Sequence, residues 1–243
     1  MKDVAGQDSF ECIAIIVAGG KGLRMQSDKK KQFIELDGVP VLIRTLKKFD
    51  SHKKISSIIL VVPESDLHFC THDLICPYTF NSELHIIKGG TTRQDSVNNG
   101  LAKAQSLCAE SQETLVLVHD GVRPFVNHEM IDKSLDVAQK KGACIPAIQI
   151  SDTVKEVNTN GQVCRTISRE KLFRAQTPQV FQLPVILEAM SNAQATDFSG
   201  TDEASLCEHL GIPVHVVEGD RFNIKLTTPE DLTLARFLLS IEE

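Results

Sequence analysis

The residues Cys12-Ile-Ala-Ile-Ile-Val17 form a run of apolar, mostly branched side chains, and Ala18-Gly-Gly-Lys-Gly-Leu-Arg-Met25 follows directly. Such a run predicts a buried β-strand. A glycine-rich turn at the carboxyl end of a first strand lets backbone N–H groups approach phosphate oxygens, and Arg24 and Lys31 add positive charge there. The stretch therefore predicts an α/β fold with a phosphate site after its first strand.

Apolar runs of strand length recur along the chain, with helical patterns between them. This alternation predicts a Rossmann-like, three-layer α/β fold, in which a mainly parallel sheet carries helices on both faces. Helices are predicted to begin at Pro40, at Thr91 or Thr92, and at Pro229, because these residues suit a first turn or an N-cap. The predicted strands are Cys12–Val17, Ile55–Val62, Leu84–Ile87, Leu115–His119, Ala143–Ile148 and Val214–Val217.

A polar segment at 151–171 differs from the rest of the chain. Asn158-Thr-Asn-Gly161 has the composition of a turn, and strand-forming residues flank it on both sides. This pattern predicts a β-hairpin that projects as an arm, a feature that commonly serves subunit contacts. With no repeat or linker to divide the chain, we expect a polar tail at 1–10 and one domain at 11–243.

Composition excludes several classes of protein. The 243 residues carry a net charge of −6, which disfavours nucleic acid as a partner. The apolar runs are far shorter than the roughly 20 residues that a membrane-spanning helix needs. The first residues do not resemble a secretory signal, and the seven cysteines form no Cys-x-x-Cys pair. We therefore expect a cytoplasmic protein that does not bind membranes.

Two familiar phosphate motifs fail at the glycine-rich turn. A dinucleotide fingerprint that begins at Gly20 and Gly22 meets Met25 where its third glycine belongs. A P-loop needs Ser or Thr after its lysine, but Gly22 follows Lys21. An NAD-linked dehydrogenase and a P-loop NTPase are both disfavoured.

The predicted strand at Leu115–His119 leads to the pair His119-Asp120. A carboxylate at the carboxyl end of a central strand lies in the crevice where open α/β sheets bind ligands. We therefore expect Asp120 to contact a bound substrate and Mg²⁺, which prefers hard carboxylate oxygens. A lone histidine at the end of a buried strand is more often a hydrogen-bonded core residue, so His119 is interpreted as structural.

The glycine-rich turn, read as Ala18-Gly-Gly20-x-Gly22-x-Arg24-Met25 with Lys31-Gln32, resembles the nucleotide-binding signature of the sugar-phosphate nucleotidyltransferases. More narrowly, it is similar to the bacterial 2-C-methyl-D-erythritol 4-phosphate cytidylyltransferases. Further segments match that family in order along the chain: Gly89-Gly90-x-x-Arg93-x-Asp95-Ser96-Val97, Val118-His119-Asp120-Gly121-Val122-Arg123-Pro124, Asp152-Thr153, Gln176-Thr177-Pro178-Gln179, Thr201-Asp202-Glu203-Ala204 and Asn223-Ile224-Lys225-x-Thr227-x-Pro229-Glu230-Asp231.

The resemblance implies three groups of site residues. The residues beside the reacting phosphates are Arg24, Lys31 and Lys225. The residues that bind CTP are Ala18, Gly19, Gly20, Gly90, Arg93, Ser96 and Gly121. The residues around the acceptor, a methylerythritol phosphate, are Asp120, Arg123, Thr153, Arg169, Thr177 and Thr201, with Thr153 and Arg169 supplied by the arm of a neighbouring subunit in a homodimer.

The reaction expected from this family is attack by an acceptor phosphate oxygen on the α-phosphorus of CTP, with release of pyrophosphate. Such chemistry requires positioned positive charge, and Mg²⁺ suits the triphosphate oxygens. Two alternatives remain open. One is a ribitol-5-phosphate cytidylyltransferase, which the segment Arg123-Pro-Phe125 favours. The other is a nucleotide-binding module without catalytic activity.

Overall fold

The computed structural model describes residues 10–19, 30–108 and 113–242. Its strands are, in chain order, β1 (Glu11–Val17), β2 (Glu35–Leu36), β3 (Val39–Pro40), β4 (Ile55–Val62), β5 (Glu83–Lys88), β6 (Thr114–Asp120), β7 (Ala143–Gln149), β8 (Val154–Val157), β9 (Val163–Ile167), β10 (Phe173–Ala175), β11 (Gln179–Gln182) and β12 (His215–Glu218). Its α-helices are α1 (Val41–Asp50), α2 (Glu64–Phe69), α3 (Arg93–Leu107), α4 (His128–Lys141), α5 (Leu183–Ala195), α6 (Glu203–His209) and α7 (Pro229–Glu242).

The main sheet is mixed but mostly parallel, as the sequence predicts. β1 lies between β4 and β6, β5 follows β4, and all three of these pairings are parallel. β11 is inserted antiparallel between β6 and β7, while β7 also pairs with β10 antiparallel and with β12 parallel. The six predicted strands all belong to this sheet. The short strands β10 and β11 are additions that the apolar pattern does not predict.

Helices cover both faces of the sheet because the side chains of a strand alternate between its two faces. On β1, Cys12, Ala14 and Ile16 share a core with residues of α1 and α4. Ile13 and Ile15 point to the opposite face, where α3 and α5 pack. All five side chains are fully buried. The three-layer arrangement therefore follows from one apolar strand with two covered faces.

The helix α3 begins with a capping box. The Thr92 side chain accepts a hydrogen bond from the Asp95 backbone, and the Asp95 carboxylate accepts one from the Thr92 backbone. Both residues thereby satisfy N–H groups that the first turn leaves without partners. α7 begins at Pro229, as predicted, whereas α1 begins one residue after the predicted Pro40, which is its N-cap and the last residue of β3.

The segment predicted as an arm forms the hairpin β8–β9, and among the described strands these two pair with each other alone. Its turn contains Gly161 with a φ of 77°, a left-handed conformation that glycine adopts without strain. Val157 and Val163 are more than half exposed. The hairpin thus presents apolar side chains to its surroundings.

A search of the described helices finds no apolar segment of the length that spans a membrane.

Candidate functional site

A cavity of about 470 Å³ lies at the carboxyl ends of four adjacent parallel strands, β1, β4, β5 and β6. This is the edge at which open α/β sheets bind ligands. Its walls come from the segments that follow each of these strands and from the region after β12. The lining residues are Val17, Ala18, Gly19, Lys30, Lys31, Gln32, Pro63, Ser65, Gly90, Thr91, Thr92, Arg93, Ser96, Asp120, Val122 and Lys225.

Asp120 ends β6 and is surrounded by three cations. Its Oδ2 lies 3.0 Å from Arg123 Nε and 3.1 Å from Lys225 Nζ. Its Oδ1 lies 3.7 Å from Arg93 Nε. Burial alone would raise the pKa of Asp120, but the three cations hold that pKa well below its usual range. The carboxylate is therefore ionised and fixed at the floor of the cavity.

The neighbouring His119 belongs to the supporting core, as the sequence predicts. It is fully buried, its Nδ1 lies 3.0 Å from Thr177 Oγ1, and its Nε2 lies 3.1 Å from the Arg123 carbonyl oxygen. Burial lowers the pKa of His119 to about 4. The ring is neutral near pH 7, and it orients the turn that carries Arg123.

Thr177 lies directly beneath Asp120. Its hydroxyl accepts a hydrogen bond from the Asp120 backbone N–H at 3.2 Å, and its carbonyl accepts one from Asn223 Nδ2 at 2.8 Å. The side chain is 5% exposed. Thr177 therefore connects the end of β6 with the segment that carries Lys225.

Ala18 and the residues after it form the wall that the phosphate-site prediction concerns. The Ala18 N–H donates to the Val61 carbonyl at 2.9 Å, and its own carbonyl accepts from Gln32 Nε2 at 3.0 Å. Gln32 is almost completely buried. This pair of hydrogen bonds fixes the exit of β1, with Gly19 and Lys31 beside it on the cavity surface.

The turn between β5 and α3 forms the opposite wall. The Gly90 N–H donates to Ser96 Oγ at 3.1 Å, and that hydroxyl donates to the Thr92 carbonyl at 2.9 Å. A Cβ placed on Gly90 would lie 2.2 Å from the Asp95 Cβ. Glycine is thus required here because the turn packs directly against the capping box.

A second cavity of about 280 Å³ lies beside the first and shares Lys225 with it. Arg123, Arg174 and Arg221 also line it, so four basic residues and one acidic residue, Asp231, surround one small volume. An anionic group is favoured in such surroundings. This cavity extends the positive region on the side of Asp120 that Arg123 and Lys225 occupy.

The comparison with protein families gives a match over residues 12–241, to the model described as 2-C-methyl-D-erythritol 4-phosphate cytidylyltransferase. The chain belongs to this family. It is therefore a nucleotidyltransferase enzyme, in agreement with the resemblance that its motifs show.

Relatives of this family match over nearly their whole length. A 2-C-methyl-D-erythritol 4-phosphate cytidylyltransferase of Syntrophus aciditrophicus (strain SB) is 45% identical over 231 residues, which is 95% of this chain and 97% of the relative. One of Geobacillus thermodenitrificans (strain NG80-2) is 44% identical, with 93% and 96% covered. The crystal structure of 4-diphosphocytidyl-2C-methyl-D-erythritol synthase from Anaerococcus prevotii DSM 20548 superimposes with a TM-score of 0.80 at 35% identity, covering 96% and 97%.

The structure brings most of the predicted site residues of this family together. Those that line the first cavity are Ala18, Gly19, Lys31, Gly90, Arg93, Ser96, Asp120 and Lys225. Gly121 lies just behind its wall, where its N–H donates to the Val17 carbonyl at 2.9 Å. Arg123 faces the second cavity. Gly20 and Arg24 lie outside the described residues.

Four predicted acceptor residues do not line either cavity. Thr177 is buried beneath Asp120, where its hydroxyl already contacts the Asp120 N–H and His119 Nδ1. Thr153 and Arg169 are exposed at the two ends of the arm, and the Arg169 guanidinium donates to the Ser151 carbonyl. Thr201 is exposed just before α6. Within one described chain these side chains remain apart from Asp120's cavity, so their contact with an acceptor stays a prediction.

Sequence reasoning missed two residues that the site depends on. The motif Lys31-Gln32 assigns no role of its own to Gln32, although the Gln32 side-chain amide donates a hydrogen bond to the Ala18 carbonyl. The segment Thr201–Ala204 likewise assigns no role to Glu203, which forms a bidentate ion pair with Arg93. Both are polar residues that become fully buried, a property that a motif match alone does not reveal.

Proposed function

We propose that the chain transfers the cytidylyl group of CTP to 2-C-methyl-D-erythritol 4-phosphate, giving 4-diphosphocytidyl-2-C-methyl-D-erythritol and pyrophosphate. The observation that carries this proposal is the cluster of Arg123 and Lys225 around Asp120, at the strand edge where the glycine-rich turn also ends. Family membership supports the choice of both substrates. CTP occupies the larger cavity, and the acceptor approaches from the side of Arg123 and Lys225.

The chemistry is an in-line displacement. An acceptor phosphate oxygen forms a bond to the α-phosphorus, the bond from that phosphorus to the β-phosphate oxygen breaks, and pyrophosphate leaves with the electron pair. The protein supplies position and positive charge rather than a nucleophile. Lys31, Lys225 and Arg24 are proposed to neutralise the charge that develops on the phosphates.

The donor set fits Mg²⁺. Among the described residues that line the cavity, Asp120 is the single carboxylate. Arg123 and Lys225 pair with its Oδ2 at 3.0 and 3.1 Å, whereas Arg93 pairs with its Oδ1 at 3.7 Å. Mg²⁺ is commonly held by one or two carboxylates together with substrate phosphates and water. We propose that Asp120 would hold Mg²⁺, which would neutralise charge on the triphosphate of CTP.

The remaining acceptor contacts are proposed to come partly from a second copy of the chain. Thr153 and Arg169 lie at the base of the arm, where the Arg169 guanidinium donates a hydrogen bond to the Ser151 carbonyl. The two strands of the arm pair with none of the other described strands, and Val157 and Val163 are exposed. A homodimer that buries these valines delivers Thr153 and Arg169 to the partner's site, where Thr201 and Thr177 complete the polyol contacts.

Pyrophosphate release tests the proposed reaction. Purified protein is incubated with CTP and Mg²⁺, and 2-C-methyl-D-erythritol 4-phosphate and ribitol 5-phosphate are offered separately. Turnover with the first acceptor alone supports the proposal. Turnover with ribitol 5-phosphate alone would mean that ribitol 5-phosphate is the acceptor, and an absence of turnover with both contradicts catalysis by this chain.

We also propose that the protein is cytoplasmic. Recovery of the activity in the cytoplasmic fraction of its source cells tests this location.

Light scattering tests the proposed homodimer. Replacing both Val157 and Val163 by lysine should convert the dimer into a monomer. Turnover should also fall, because Thr153 and Arg169 then no longer reach the site of the partner chain. A Thr159→Lys variant adds charge at the exposed turn and serves as the matched control. A wild-type protein that is a monomer at working concentration contradicts the proposal.

A further inference from the structure

Glu203 is a buried carboxylate behind the wall of the cavity. It is the first residue of α6 and is 1% exposed, although no part of the proposed chemistry uses it. The preceding residue, Asp202, is the N-cap of α6 and accepts a hydrogen bond from Gln179 Nε2 at 2.7 Å. The position of Glu203 is therefore fixed by the packing of α6 against the sheet.

The Glu203 carboxylate forms a bidentate ion pair with the Arg93 guanidinium. Arg93 Nη1 lies 2.6 Å from Glu203 Oε1, and Nη2 lies 3.0 Å from Oε2. This parallel geometry is the strongest form of ion pair between these side chains. Because both terminal nitrogens are engaged, Nε is the nitrogen that faces Asp120, with 3.7 Å between Nε and Oδ1.

The pair is costly to break because Glu203 is removed from water, whereas the Arg93 side chain stays 33% exposed. Burial raises the pKa of Glu203, and the Arg93 guanidinium opposes this shift. The pKa of Arg93 is itself raised by Glu203 and Asp120 in spite of its burial. A guanidinium remains charged at any working pH, so Arg93 deprived of Glu203 is drawn toward another anion. Asp120 is the nearest carboxylate among the described residues that line the cavity.

We infer that Glu203 is a positioning residue that acts through Arg93 to keep the Asp120 carboxylate directed at Lys225 and Arg123. With Glu203 in place, Arg93 is neutralised and stands 3.7 Å from Asp120 without closing on it. Without Glu203, Arg93 closes on Asp120 and draws the carboxylate away from Lys225. This inference rests on the proposed function, and it assigns to Arg93 the support of Asp120 rather than a direct contact with a CTP phosphate.

A Glu203→Gln variant separates these roles because the amide keeps the shape and loses the charge. With 2-C-methyl-D-erythritol 4-phosphate as acceptor, kcat should fall by at least about tenfold, the scale of coupling within one ion-pair network. The dissociation constant of CTP alone, measured by calorimetry without Mg²⁺ so that a metal at Asp120 does not contribute, should stay within about twofold, since Arg93 supports Asp120 rather than CTP in this scheme. Equal losses of CTP affinity and of turnover would indicate a merely structural role and overturn the inference.

A double-mutant cycle tests whether the effect passes through Arg93. The Glu203→Gln/Arg93→Gln variant should be no slower than Arg93→Gln, because Glu203 has nothing to act on once the guanidinium is absent. Additive losses contradict the inference. If Glu203→Gln fails to fold, Arg93→Lys provides the same test, since it keeps the charge and loses the two-pronged bond. Its turnover should fall while its CTP affinity is unchanged, and a wild-type rate would overturn the inference.

Asp50→Asn provides the matched control. Asp50 is also a buried carboxylate, it pairs with Lys47 at 3.0 Å, and it lies at the end of α1 without lining either cavity. Its loss should lower the Tm without changing kcat. An inactive wild-type protein refutes the proposed function, whereas an active wild type with an equally active Glu203→Gln variant refutes the positioning role alone.

Discussion

Lys225 Nζ lies 3.1 Å from Asp120 Oδ2, although one residue follows β12 and the other ends β6. Arg123 binds the same oxygen at 3.0 Å and also donates through Nη1 to the Asn223 carbonyl at 2.9 Å. Arg123 thus connects the two segments that present Asp120 and Lys225. The proposed reaction depends on this convergence because a developing negative charge is stabilised only by groups already in place.

Replacing Lys225 by methionine should reduce kcat/KM by about a hundredfold, the usual cost of removing one preorganised charged donor. The measurement is pyrophosphate release at saturating CTP with varied acceptor. Lys140→Met is the control, since Lys140 is an exposed residue near the end of α4 and should leave the rate unchanged. A loss of no more than about twofold at Lys225 would remove it from the reaction centre.

His119 should make the stability of the protein depend on pH. Burial lowers its pKa to about 4, below the value of 6.5 for an unperturbed histidine, so the unfolded chain binds the extra proton first. The resulting stabilisation is complete above pH 6.5 and is lost as the pH falls toward 4, by about 3 kcal/mol in total.

Urea unfolding at several pH values between 4.5 and 7 measures this effect. A His119→Gln variant should be less stable at pH 7 but should show a shallower dependence on pH across that interval. If the two proteins lose stability in parallel as the pH falls, the neutral and buried state of His119 is wrong.

The Thr177 hydroxyl is predicted to contribute through Asp120. Replacing it by valine keeps the shape but leaves both the Asp120 N–H and His119 Nδ1 without this partner, which should cost about 1–3 kcal/mol of unfolding free energy. Thr177→Ser retains the hydroxyl and should lose less. Chemical denaturation of both variants decides the matter, and equal stabilities would mean that the hydroxyl does not support Asp120.

Gly90 should not tolerate a side chain. An added Cβ would meet the Asp95 Cβ at 2.2 Å, so Gly90→Ala must displace the start of α3. We expect the Tm to fall by at least about 3 °C, as overpacking of this kind costs 1 kcal/mol or more. Gly19→Ala is the matched control for stability, because no atom lies within 4 Å of its added Cβ. Similar Tm values for the two variants would contradict the close packing at Gly90.

Much of the fold is predictable because its signals are local. The alternation of apolar runs and helical patterns places six strands of the main sheet, and Thr92 and Pro229 identify two helix starts. The antiparallel strand β11 was not predicted. Its four residues, Gln179–Gln182, are too few to show a period, and their place between β6 and β7 depends on tertiary pairing.

The sequence alone predicts the sheet, the edge at the carboxyl ends of its strands and the residue types that face a phosphorylated substrate. These features depend on the alternation of side chains along a strand and on glycine-rich turns, and both involve only a few neighbouring residues. The tertiary structure decided how those residues are paired. Arg123 is only three residues from Asp120, but Lys225 and Arg93 reach Asp120 from two distant segments, and Glu203 holds Arg93 from a third. These ion pairs depend on distances across the packed sheet, and burial gives them their strength, so no local pattern could have specified them.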